Sequence, residues 1–91
     1  MCIRDRVNAV VGGDVVKEAV KVAEELSQNG PDAVIVSREG LSLGWEGVGP
    51  ELAVDILEKG LFARADGAEN MVEGVKSFVE RRPPVWRDSK L

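Results

Sequence analysis

The chain has 91 residues, 44% hydrophobic and 31% charged, with a net charge of −4 at neutral pH. That length allows one small domain whose core is marginal alone, and the acidic balance argues against a nucleic-acid partner. Histidine is absent, which removes the commonest general base and neutral zinc ligand, so neither a metal site nor Ser/His or Cys/His catalysis is expected.

The opening Met1-Cys2-Ile3-Arg4-Asp5-Arg6 carries no period, cap or apolar face. It resembles the in-frame translation of a sequencing-library adapter, so residues 1–6 are expected to be non-native and are left out of fold reasoning. The chain is then expected to be the tail of a longer protein. Cys2, the single cysteine, lies in this hexapeptide and says nothing about redox compartment. Val7-Asn8-Ala9-Val10-Val11 is β-branched and closed by Gly12-Gly13, which predicts a short strand and turn. With no ladder partner in the chain, residues 7–13 read as the last strand of a core lying outside it.

Helical patterning fills residues 14–84. Asp14 is placed to cap a helix in which Val15, Val16, Ala19, Val20, Ala23 and Leu26 recur at helical spacing. Asn29-Gly30-Pro31 ends that helix and starts the next. Ala33-Val34-Ile35-Val36 alone fits a buried strand equally well. Its flanks, Pro31-Asp32 and Ser37-Arg38-Glu39, favour a helix through about Leu43. Gly40 and Gly44, four apart, suit either a close backbone approach or a frayed end. Gly49-Pro50-Glu51 repeats the start signal, and Leu52, Ala53, Ile56 and Leu57 form a stripe up to Gly60. Asp66-Gly67-Ala68-Glu69 has the form of a capping box, followed by Met71, Val72, Val75, Phe78 and Val79 on one face. Arg81 and Arg82 fall where cations suit the helix dipole, and Pro83-Pro84 stops the helix. No apolar run reaches membrane-spanning length, so membrane insertion is not expected. The fold class is therefore mainly α, one short strand and then about four helices, with residues 85–91 as an exposed tail.

The chain finishes Ser89-Lys90-Leu91. A free terminus of this kind is a peroxisomal address read by a receptor and not by lipid, and Pro83-Pro84 upstream favours an extended end. This predicts a peroxisomal location and an import receptor as partner.

Asp66, Glu73-Gly74, Phe78, Glu80-Arg81-Arg82, Pro84 and Trp86 stand in an order that resembles the C-terminal region of the enoyl-CoA hydratase/isomerase (crotonase) family. Val7-Asn8-Ala9-Val10-Val11 looks like that family's last core strand, and Ala33 to Leu41 resembles a helix usually opened by Ser-Pro, here Gly30-Pro31. The resemblance covers nearly everything after Arg6. It implies the C-terminal helical module of an α/β spiral fold, residues 14–84 serving oligomerisation and CoA capping. The parent protein is then expected to add water to a 2-enoyl-CoA through a stabilised thioester enolate, with double-bond isomerisation as the alternative. A non-catalytic helical self-association module is the other. The two backbone amides that hold the thioester oxygen and the acids that move the proton lie upstream in the family. No catalytic residue is therefore expected here, and no cofactor, because coenzyme A belongs to the acyl-CoA substrate.

Carried over by position, Phe62 and Phe78 would line the adenine end of CoA and Arg81 would meet a phosphate. Each has a plainer reading: Phe78 as core, Phe62 as a loop anchor, Arg81 as a helix-end cation. Many relatives have Lys where Arg81 stands, which keeps the charge but changes the hydrogen-bond geometry. A homo-oligomer, trimer or hexamer, is also implied. Glu69 reads as the capping partner, Glu73 and Glu80 as solvated positions, and Trp45 and Trp86 as loop residues.

Overall fold

The structure is a computed structural model that describes residues 9–91. The hexapeptide and Val7 and Asn8 lie outside the described residues. Residues 9–11 form no strand, because a β-branched run with no neighbouring strand has no ladder to join. Five helices follow among the described residues, and residues 81–91 are irregular. Helix α1 spans Val15–Ser27, α2 Pro31–Trp45, α3 Pro50–Lys59, α4 Leu61–Ala65 and α5 Glu69–Glu80.

Local chemistry accounts for most boundaries. The Asp14 carboxylate caps α1 as expected, accepting from the amides of Val16 at 3.0 Å and Lys17 at 3.2 Å. The Asn29 side chain closes its other end by donating to the Leu26 carbonyl. Pro31 and Pro50 each occupy the first turn of their helix behind a glycine cap, where a missing N–H costs nothing. The ambiguous stretch around Val34 is helix, and α2 runs two residues past the expected end. Gly40 allows a close approach, since a Cβ there would meet Leu57 Cδ1 at 3.3 Å, whereas Gly44 faces open space.

Two expectations are corrected. Phe62 does not sit in a loop but on the five-residue helix α4. The bend that separates α3 from α4 needs Gly60, where a Cβ would fall 2.8 Å from the Ile56 carbonyl oxygen. Nor do Asp66 and Glu69 form a capping box. Gly67 turns the chain at φ 73, so α5 starts at Glu69 behind Ala68 with no side-chain cap.

Helix α2 is the centre, packed by α3, α4 and α5, while α1 has no comparably extensive packing on another helix. Among the described residues only Leu43 and Ala65 are buried apolar residues, and no large side chain is fully enclosed. The accessible surface is 7687 Å2, against about 5,200 Å2 for a compact monomer of this size. The radius of gyration is 16.6 Å, against about 12 Å for a compact chain of this length. Val15, Val16, Val20 and Leu26 of α1 are exposed, as are Leu52, Val72 and Val79. Apolar faces formed correctly in sequence thus stand open in space. Among the described residues no helix is long and apolar enough to cross a membrane.

Candidate functional site

A predominantly apolar groove of about 530 Å3 lies between α2, α4, α5 and the segment after α5. Helical spacing supplies its walls: Val36 from α2, and Met71 and Val75 from α5. Phe62 from α4 and Phe78 from α5 also line it, 45% and 84% exposed. Phe78 is therefore not packed in this chain's core. Trp86 lines the groove from the C-terminal segment. Its ring lies so near α5 and the start of α2 that a Cβ at Gly30 would come within 3.2 Å of it, and one at Gly74 within 3.3 Å. The indole N–H donates to the Gln28 carbonyl at 2.7 Å, which ties the segment to the end of α1.

The polar end of the groove holds Asp32 and Asn70, both 6% exposed. Asn70 Nδ2 donates to Asp32 Oδ2 at 3.3 Å and to the Arg87 carbonyl at 3.0 Å, while its Oδ1 accepts from the Arg87 amide at 2.9 Å. Asn70 thus treats Arg87 as a strand neighbour would, filling donor and acceptor together. Asp32 Oδ1 is enclosed with no hydrogen-bond partner.

The remaining acids of α5 are occupied by the C-terminal segment. Arg81 adopts a left-handed conformation, φ 52, and the Arg82 amide closes onto the Ser77 carbonyl, which turns the chain back along α5. Glu73, expected to be solvated, accepts two hydrogen bonds from the Arg82 guanidinium at 2.6 and 2.9 Å, and a third from the Val85 amide at 2.8 Å. The guanidinium first and the amide second hold its carboxyl down at about 2. Arg82 is in turn pushed upward by Glu73 and then Glu80. Glu80 is likewise paired rather than simply solvated, accepting from Arg82 Nε. Glu69, free of any capping role, accepts from Lys90 at 2.8 Å and Arg87 at 3.4 Å. Lys90 is the main reason its carboxyl is lowered. A carboxylate already neutralised this way is a poor general base.

The structure therefore brings Phe62 and Phe78 to one groove and leaves Arg81 off its lining. Residues 83–91 thus form a strap along α5, and at its end Lys90 meets Glu69 while Leu91 lies half-buried beside Asp32, Arg64 and Ala68. Sequence reasoning missed Trp86 and Asn70 as site residues. A signal for Trp86 existed, because an aromatic after Pro-Pro and the glycines at 30 and 74 are complementary in size. None existed for Asn70, which in the first turn of a helix reads as a surface residue. Among the described residues no group of three or more His, Cys, Asp or Glu could hold a metal ion. What the groove offers chemically is an apolar, aromatic-edged slot for a flat group.

No protein-family model matches the chain. Over 87 residues it is 51% identical to the mevalonyl-coenzyme A hydratase of Beauveria bassiana, and over 86 residues 45% identical to that of Aspergillus fumigatus. Each alignment takes in 93% of this chain but only 31% and 32% of the relatives. The chain thus spans about a third of the length of the curated relatives it matches, and along nearly all of its own length it is similar to mevalonyl-coenzyme A hydratases.

Proposed function

We propose that the chain is the C-terminal helical module of a crotonase-type acyl-CoA hydratase, and that its groove takes the adenine end of the CoA carried by the substrate. The observation that carries this reading is the identity of 51% and 45% to two mevalonyl-coenzyme A hydratases across 93% of the chain. The groove supports it independently: Phe62 and Phe78 offer aromatic faces to a purine. Phe78 is exposed here because the surface it serves is completed by another part of the protein. In this reading a mevalonyl-type CoA thioester is the substrate class, and water adds across the 2,3 bond of the enoyl form or leaves in the reverse direction. The thioester oxygen is held by backbone amides, and the proton is moved by acids, in the two thirds of the protein that the relatives have beyond this match. No cofactor is needed beyond the CoA of the substrate. Arg81 meets a phosphate only in the assembled enzyme, where a trimer or hexamer brings neighbouring modules over each active site. The bare face of α1 supports such assembly. The Ser89-Lys90-Leu91 terminus directs the protein to peroxisomes.

The test is a chimera in which this chain replaces the matching third of the Beauveria bassiana relative. It should hydrate 2-enoyl-CoA, followed by loss of the conjugated thioester's ultraviolet absorbance. Phe62→Ala and Phe78→Ala should each raise KM by about two- to tenfold at unchanged kcat. A folded chimera with no hydratase activity, or variants with unchanged KM, would contradict the proposal.

A further inference from the structure

The tripeptide Ser89-Lys90-Leu91 is not loose. Its root is held by the Trp86 ring near Gly30 and Gly74, by the Trp86 hydrogen bond to Gln28, and by the two-way pairing of Asn70 with Arg87. Its tip is held by Lys90 on Glu69 at 2.8 Å and by Leu91 lying half-buried in the cleft that Arg64 and Ala68 line. We infer that segment 83–91 is a latch: docked on α5 and bound to an import receptor are mutually exclusive states of the same tripeptide. The inference rests on the address reading proposed above and adds its control.

The argument is steric and electrostatic. A receptor that reads a small residue, a cation and an apolar side chain must surround the last two side chains. In the docked state Glu69 already holds the cation, and the cleft already covers part of the apolar side chain. The two ends of the latch differ in strength. Lys90 is 80% and Glu69 53% exposed, and exposed ion pairs are weak, so the tip opens readily. The root rests on a packed indole and paired backbone groups, so it stays. Receptor affinity is then lowered by the fraction of chains whose tip is open.

The experiment compares three molecules for binding to the peptide-reading domain of the import receptor: the full chain carried in the chimera described above, its Glu69→Lys variant in the same chimera, and a free peptide of residues 83–91. The latch predicts that the full chain binds about three- to tenfold more weakly than the peptide. Glu69→Lys, which sets a like charge against Lys90, should bring the chain within about twofold of the peptide, with Glu69→Gln between. Amide resonances of residues 88–91, read by NMR in the absence of receptor, should move to random-coil positions in Glu69→Lys while those of α2 stay. A full chain that binds as tightly as the peptide, or tail resonances unmoved by Glu69→Lys, overturns the latch but leaves the address intact. A free peptide that does not bind overturns the address reading and the latch with it.

Discussion

Helices α1 and α5 make opposite bargains with their surroundings. Helix α1 has good local chemistry: an Asp14 cap, a Lys21–Glu18 pair at 2.6 Å and a continuous apolar face. Yet that face stays largely open to solvent, with Val16 71% and Leu26 63% exposed. Helix α5 has no side-chain cap, but Glu69, Asn70 and Glu73 are all engaged by the returning segment. Local helix signals and tertiary anchoring are thus separate quantities in this chain. A 13-residue helix with so little packing is marginal in water, whereas α5 and its strap close their own polar network. The chain ties its polar groups together around α5 but leaves the apolar faces of α1 uncovered.

The comparison breaks first at Trp86. Trp86→Ala removes both the indole packed near Gly74 and its bond to Gln28. It should cost the docked strap about 2–4 kcal/mol. Hydrogen exchange at the Val85 and Arg87 amides should rise to that of free peptide, while α1, already poorly protected, should not change. Asn70→Ala comes next, because it strips both bonds to the Arg87 backbone and leaves buried Asp32 with no partner at all. About 1–3 kcal/mol is expected, read from the same amides.

Acid sharpens the contrast in a different way. The Glu73 carboxyl titrates at about 2 in the folded chain, below its ordinary 4.5. The unfolded form therefore takes the proton first as pH falls. The stabilisation Glu73 gives is complete above about 4.5 and disappears as pH drops through about 2. Glu69 is lowered too and acts in the same direction. Trp86 fluorescence, in a Trp45→Phe background, should report strap release in that window. Glu73→Gln should remove most of that pH dependence. The smallest effect belongs to Asp14→Ala, about 1 kcal/mol of α1 helicity. It should appear in far-ultraviolet circular dichroism and leave the strap amides untouched.

Four helices were legible in the sequence because their signals are local. Asp14, Gly30-Pro31 and Gly49-Pro50 mark starts, and the apolar spacing of α1, α3 and α5 marks faces. Helix α4 was not legible, since five residues are too few to show a period. The Glu69 error has a clear origin. Its spacing from Asp66 fits a capping box, but the partners that claim it, Arg87 and Lys90, stand 18 and 21 residues away. Gly67 had already turned the backbone out of register. The family resemblance points to Phe62 and Phe78 by position alone, whereas Trp86 and Asn70 join the groove only when the strap folds back. Residues joined by a chain reversal leave no periodic trace, and the reversal itself depends on Arg81 in a conformation usually given to glycine.

The central claim is that these apolar faces are built to be covered by a further body. Analytical ultracentrifugation combined with a thermal melt of the 91-residue chain alone tests this most directly. The account predicts open-ended, concentration-dependent association and a broad, weakly cooperative transition, replaced by one defined oligomer and a sharp melt in the chimera that supplies the rest of the protein. A monomer that sediments as a compact sphere and melts in one sharp two-state step would contradict it.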